Sequence, residues 1–210
     1  MAESAGNQKT QTIQNIILAA HNEFVEKGYD AASLSNIARQ AGTTKQLLHY
    51  YFSSKDQLYL MAIKDVSESI LCLFDNSNYE HLSAEQAIRL LINKIVDFHI
   101  SLPGLTTLTL DQGLHRAEHL TSQLDVVPKT LDFVKKVLGP ILQRGVDEGV
   151  FREGVDPALF YASTFHLASG CFLLGSSMSR TVPEIDFTQP EGIELWRNHV
   201  LDMVLASLRA

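Results

Sequence analysis

The chain holds 210 residues, 45% hydrophobic and 20% charged, ordinary values for a soluble globular protein of one large or two small domains. Its 17 Lys and Arg face 24 Asp and Glu, and the formal net charge of −7 argues against nonspecific coating of nucleic acid. The polar start MAESAGNQKT has no apolar stretch behind a basic segment and no apolar run approaches the ~20 residues of a membrane span, so the expectation is a cytoplasmic protein with no signal peptide and no membrane contact.

The pattern is helical nearly throughout, without sustained period-two alternation or an Asn-Gly or Asp-Gly hairpin signal. Residues 1–9 read as a disordered start. A first helix is predicted from Gln11 to Lys27, with Ile13, Ile16, Ile17, Ala20 and Phe24 in one apolar stripe and Gly28 as its stop. A second follows the N-cap Ser33, carries Leu34, Ile37, Ala38 and Ala41, and ends at Gly42. A short third begins at Thr43 or Thr44 and reaches Tyr51. Ser54 and Gln57 form a capping box for the fourth, whose stripe is Leu58, Met61, Ala62, Val66, Ile70 and Leu73. Asn76 to His81 is a polar linker. Ser83 and Gln86 cap a fifth helix that stops at Pro103-Gly104, and a short sixth covers Thr107 to His119. Pro128 opens a seventh that ends near Gly149, and Asp156-Pro157 starts an eighth. That eighth segment, Ala158 to Met178, is apolar almost all round and should be buried on most sides. A last helix runs from Glu191 to Leu208 with Trp196, Val200, Met203 and Val204 in register. The fold class is all-α with about nine helices.

One segment departs from the acidic balance. Ser33 to Lys55 contains no Asp or Glu but holds Arg39, Lys45, His49 and Lys55. Two short helices joined by a glycine turn form a helix-turn-helix, whose second helix lies in the major groove with its first residues on base edges. Here that helix reads Thr44 to Tyr51. Lys45 can donate to guanine or phosphate, and Gln46 can pair with adenine. Thr43 and Thr44 sit where free N–H groups at a helix start face phosphate. His49, Tyr50 and Lys55 can reach the backbone on either side, and Ser33 starts the supporting helix. Leu48 and Phe52 face the core.

The residues Phe24…Lys27-Gly28-Tyr29, Ser33-Leu34-Ser35-Asn36-Ile37-Ala38, Ala41-Gly42-Thr43-Thr44-Lys45 and Tyr50-Tyr51-Phe52-Ser53-Ser54-Lys55-Asp56-Gln57-Leu58 carry a resemblance. In this order they resemble the TetR family of bacterial regulators. A weaker likeness covers Ile141 to Gly145, Glu148 to Arg152 and Asp156-Pro157, similar to the end of that family's seventh helix and the start of its eighth. The chain departs from the family at His49, usually tyrosine, and at Gln46, usually small. The operator sequence therefore cannot be carried over, and His49 could make contacts pH-sensitive.

The resemblance implies a helix-turn-helix domain over residues 10–70, with its motif at 33–52, and a ligand-binding and dimerisation domain over 71–210. It implies a repressor of double-stranded, palindromic DNA released by a small-molecule effector. It also implies a homodimer through the last two helices, about 157–178 and 191–208, in a four-helix bundle. The small residues Ser169, Gly170, Gly175, Ser176 and Ser177 would let a partner helix approach. Candidate pocket residues are Phe98, His99, Asp111, His115, Phe133 and Phe165, aromatics with a few polar groups that suit a mostly apolar ligand.

Rival chemistries have less behind them. His115-Arg116-Ala117-Glu118-His119 has the H-x-x-E-H spacing of some zinc peptidases, but no third ligand can be placed. Cys72 and Cys171 are too far apart in sequence for a C-x-x-C site and read as packed, reduced thiols. No G-x-S-x-G, P-loop or G-x-G-x-x-G occurs. No enzyme activity, catalytic residue, cofactor or metal ligand is therefore assigned.

Overall fold

The structure, a computed structural model, describes residues 2–70, 75, 79–102, 106, 110 and 126–210. The chain divides into two compact units, one built on the residues up to Ser69 and the other on Ile70–Thr106 and Asp125–Ala210. Eight helices are present among the described residues, and the only strand-like pairing there is an isolated bridge between Phe151 and Arg209. The predicted sixth helix falls almost wholly outside the described residues.

The first unit contains α1 (Ala2–Ala31), α2 (Leu34–Gln40), α3 (Lys45–Tyr51) and α4 (Lys55–Ile70). α1 starts well before Gln11, in the stretch expected to be disordered. Ala, Glu, Gln and Lys in that stretch are strong helix formers, and no proline interrupts them. The expected stop is present as a break: Gly28 leaves the helix at φ 72, ψ 175, a region open essentially to glycine alone. Ile16, Ala19, Ala20 and Phe24 are buried on one side of α1, and Ile37, Ala38, Leu48, Phe52 and Leu58 are buried in the elements that follow.

α4 presents a stripe rotated from the expected one. Tyr59 and Ile63 are buried beside Leu58 and Ala62, while Met61 is 37% exposed. The aromatic contacts set this rotation, because the Tyr59 ring stands edge-on to Phe24 at 4.9 Å and to Tyr29 at 5.1 Å. The Ser54–Gln57 cap forms only in part as expected. Ser54 Oγ accepts from the Gln57 N–H, but the Gln57 side chain accepts from Ser53 instead of Ser54.

The second unit contains α5 (Ala84–Ser101), followed by a helix in three consecutive pieces that we label α6: Val126–Phe133, a π-helical turn Val134–Leu138, and Gly139–Asp147. Two long helices close the unit, α7 (Pro157–Thr181) and α8 (Pro190–Leu208). Both bonds of the Ser83–Gln86 capping box are made. Asp156 caps α7 by accepting from the N–H groups of Ala158 and Leu159, with Pro157 behind it. The π-turn has a local cause. Pro140 offers no N–H and its ring would strike the carbonyl four residues back, so the ladder widens and Gly139 N–H reaches Val134 O.

The core joins Ala87, Ile88, Leu91, Ile92, Ile95 and Val96 of α5 to Leu138 and Ile141 of α6 and Val200, Val204 and Leu208 of α8. Gly145 on α6 is a point of close approach, because a Cβ there would lie 1.9 Å from the Phe151 ring. Phe151 is itself buried, and its N–H is bonded to the Gly145 carbonyl. Gly145→Ala is therefore expected to lower stability by about 1–3 kcal/mol, read as a fall in denaturation midpoint with unchanged slope.

α7 differs from expectation in more than one respect: expected to be buried on most sides, it leaves Leu159, Leu174 and Met178 exposed. With 25 residues it is long and apolar enough to cross a membrane by length and composition. Its polar residues are small and mostly uncharged, so the whole helix passes where no single apolar run does. Cys171 on α7 is buried, and burial pushes its thiol up to about 11, which makes it unreactive near neutrality. Cys72 lies outside the described residues.

Candidate nucleic-acid interface and effector site

The turn before α3 is built by the backbone. α2 ends at Ala41, and Gly42 takes φ 65. Gly42 N–H then bonds Arg39 O at 3.2 Å, and Thr43 N–H bonds Ala38 O at 2.9 Å. These are the paired bonds of a Schellman motif, which requires the left-handed conformation at its glycine. Thr43 thus has its amide engaged in the turn, not free for phosphate as the sequence suggested. Its hydroxyl is buried without a hydrogen-bond partner. Thr44 is the N-cap, and its hydroxyl accepts from Leu47 N–H at 3.1 Å.

From that cap α3 projects one buried side chain, Leu48, into the core. Lys45, Gln46, His49 and Tyr50 are exposed, Tyr50 at 76%. Leu47, which the sequence reading did not single out, is exposed too, at 38%. Ser33 sits at the N-cap of α2, but its hydroxyl makes no capping bond.

Lys55 is placed differently from a free phosphate donor. Its ammonium donates to Asp30 O at 3.1 Å and lies 4.7 Å from the centre of the Tyr29 ring. The neighbouring Asp56 accepts from the Tyr29 hydroxyl. The pair thus ties the start of α4 to the end of α1.

The residue that organises this unit is Glu23, which sequence reading missed. It is fully buried. Its two oxygens accept from Lys27 Nζ at 2.9 Å, Ser33 N–H at 3.2 Å, the Asn36 amide, and Gln40 Nε2 at 3.3 Å. Burial would raise its pKa, but the Lys27 ammonium and the Ser33 and Asn36 donors outweigh burial and hold the carboxyl below its ordinary value. An acid from α1 therefore serves the α2 N-terminus where the Ser33 hydroxyl does not.

In the second unit the rings gather around α7. His99 is 2% exposed and stacks on Phe172 at 4.7 Å. Its Nε2 lies 2.8 Å from Ser169 Oγ and its Nδ1 3.3 Å from Thr106 Oγ1. Burial pushes the imidazole down to about 4, so it is neutral at pH 7, with one nitrogen donating and the other accepting. From His99 a run of rings continues through Phe165, Tyr161 and Phe133 to Tyr79, with neighbouring centroids 5.7–6.4 Å apart. Burial pushes the Tyr161 phenol up to about 12, against a hydrogen bond to Thr130 that lowers it.

Three of the candidates, His99, Phe133 and Phe165, thus belong to one cluster. Phe98 packs against the core without joining the rings. Asp111 and His115 lie outside the described residues, as does His119. Tyr161, Ser169 and Phe172 were missed, although their spacing with Phe165 marks a single helix face. Among the described residues no group of three His, Cys, Asp or Glu could hold a metal.

The other face of α7 is apolar and open. Leu159 is 72% exposed, Leu174 58% and Met178 39%, while Leu195 and Met203 of α8 are 58% and 46% exposed. A groove of about 440 Å³ runs between Leu159, Ser163 and Leu167 on α7 and Met203 and Ser207 on α8. The expectation that Ser169, Gly170 and Gly175 admit a partner helix is not how they are used. Ser169 bonds His99, Gly170 lies under the Trp196 ring, and Gly175 meets the Phe187 backbone. α7 is apolar on every side, so its periodicity could not tell the inward small residues from the outward ones.

Two family models match the chain: "Bacterial regulatory proteins, tetR family" over residues 16–62, and "Tetracyclin repressor-like, C-terminal domain" over residues 85–204. The HTH-type transcriptional repressor NicS of Pseudomonas putida is 24% identical over 204 residues, covering 96% of this chain and 94% of that protein. The fatty acid metabolism regulator protein of Bacillus subtilis is 28% identical over 156 residues, 72% of this chain and 77% of that one. In fold, the chain is similar to the Bacillus subtilis transcriptional regulator FadR solved in complex with stearoyl-CoA. The TM-score is 0.62, with 22% identity and coverage of 94% and 100% of the two chains.

Proposed function

The chain belongs to the tetR family of bacterial regulatory proteins, and from this we propose that it is a cytoplasmic, homodimeric repressor that reads a palindromic operator through α3 and releases it when a small molecule enters the ring cluster of the second unit. The family is one of transcriptional regulators and not of enzymes. The observation that carries the DNA assignment is the exposed face of α3, set in a stretch from Ser33 to Lys55 without a single acidic side chain. Lys45, Gln46, His49 and Tyr50 are its reading and anchoring residues, with Ser33 and Thr44 at the helix N-caps and Thr43 held in the turn between the two helices. Lys55 steadies the domain and reaches phosphate only by leaving Asp30. Repression is supported by the repressor NicS at near-complete coverage, and effector control by the acyl-CoA complex of FadR.

The open face of α7 and α8 supports dimerisation and gives the length and apolarity of α7 a use other than a membrane. α7 also suggests how an effector acts. Tyr161, Phe165, Ser169 and Phe172 point into the ring cluster, while Leu159, Ser163, His166 and Leu174 occupy the open side of the same helix. A ligand that repacks the rings shifts α7 and with it the partner helix. It thereby biases the dimer toward one spacing of its two reading helices, which must match half-sites about 34–36 Å apart.

Selection from a random duplex library with the full-length protein should return a palindromic site bound in a salt-sensitive complex. Lys45→Ala and Tyr50→Ala should each weaken that complex about 10-fold or more in a mobility shift, and Lys45→Ala, which acts in both half-sites, should reduce the salt slope by about two. Both variants should stay dimeric in sedimentation velocity. Dimer loss in either would place these side chains in the core and overturn the assignment.

A further inference from the structure

α3 carries an apolar side chain where its solvent face needs none. Leu48 is fully buried, and at about 100° per residue Gln46 and Tyr50 lie opposite it. Leu47 stands beside Tyr50 on that outward side, 38% exposed. Thr44 caps its N–H and Leu48 makes the core contact of the helix, so the fold of the unit does not call for a leucine here. Its surroundings are those of a DNA-reading face, with Lys45, Gln46 and His49 exposed and no acidic residue from Ser33 to Lys55. On the base edges of the major groove the apolar group is the C5-methyl of thymine.

We infer that Leu47 is a specificity-determining residue that packs on the C5-methyl group of one thymine in each half-site. The inference rests on the operator-reading assignment of α3 and adds the base that the helix selects. Gln46, one residue earlier, supplies the hydrogen bonds an adenine offers, so the two residues together favour A·T pairs at neighbouring steps.

The test uses the full-length protein and a duplex obtained by library selection, with each thymine replaced in turn by deoxyuridine, which removes only the methyl. Affinity is read by fluorescence anisotropy at one fixed salt concentration. At one thymine per half-site, wild type should lose about fourfold for each methyl removed. Leu47→Ala, which removes the contact in both half-sites at once, should bind the thymine duplex about 16-fold more weakly and be indifferent to the same uracil. Leu47→Met, which keeps an apolar tip, should retain the uracil penalty. An unchanged melting temperature for both variants shows that the fold is intact.

A specific complex in wild type without any uracil penalty overturns the inference and leaves the regulator standing. So does Leu47→Ala with the penalty intact, or a change of oligomeric state in Leu47→Ala, which would make a second copy of the chain the occupant. A protein that selects no site at all overturns the operator-reading assignment and this inference with it.

Discussion

Leu174→Glu is expected to turn the protein into a folded monomer and to weaken operator binding by about 10³-fold or more. The leucine is 58% exposed on α7, in line with Leu159 and Met178 and beside Leu195 and Met203 of α8. An apolar face of this kind, on the last two helices of its unit, is what a symmetric pair of subunits buries. Stable interfaces bury on the order of 1,000 Å² or more in total. A carboxylate at its centre would be desolvated without a partner, at a cost of several kcal/mol that two-fold symmetry incurs twice. The monomer keeps one reading helix and loses the second half-site, which removes roughly half of the binding free energy. Sedimentation velocity should give about twice the chain mass of 23.3 kDa for wild type and the chain mass for the variant. Melting of the variant should show that the unit still folds, since Leu174 is not part of its core. A Leu174→Glu protein that remains dimeric would place the interface on another face.

The helix-turn-helix was legible because its signals are local. Gly42 after Ala41, the Thr44 cap and the buried Leu48 lie within a few residues of each other, and each acts on its own turn of chain. The same holds for Ser83 with Gln86 and for Asp156 with Pro157. What escaped depends on which distant elements meet. Glu23 reads as an ordinary charge until Ser33, Asn36 and Gln40 arrive on it from α2. Lys55 reads as a phosphate donor until Tyr29 and Asp30 occupy it. His99 and Phe165 could be named as pocket candidates, but Tyr161 and Phe172 could not be separated from plain core on a helix that is apolar all round. The inward use of Gly170 and Gly175 escaped for the same reason. Periodicity gives the faces of a helix, and contact between elements gives them meaning.

Glu23→Ala should lower the stability of the first unit by about 3–5 kcal/mol, enough to abolish operator binding at moderate temperature. Four donors converge on this one carboxylate, one from α1 and three from α2 and its cap, and two of them, Ser33 N–H and the Asn36 amide, belong to the first turn of α2 or its cap. Removing the acceptor strands these donors beside a small cavity, and each buried orphan costs about 1–3 kcal/mol. Glu23→Gln is the milder probe. One oxygen is kept, but the new amide presents its own donors to Asn36 and Gln40, and the charge that Lys27 meets is gone. A loss between that of alanine and zero is expected at pH 7. The acid dependence separates charge from shape. The folded carboxyl titrates below its ordinary value of 4.5, so its contribution is complete above that pH and is lost as pH falls through the folded value. Wild type and Glu23→Gln should therefore converge in stability below pH 4.5 and stand furthest apart near neutrality. Urea denaturation of the full chain, followed by circular dichroism across that range, reads the difference directly. A glutamine variant as stable as wild type at pH 7 would show that the network positions α2 by its hydrogen bonds without needing the charge.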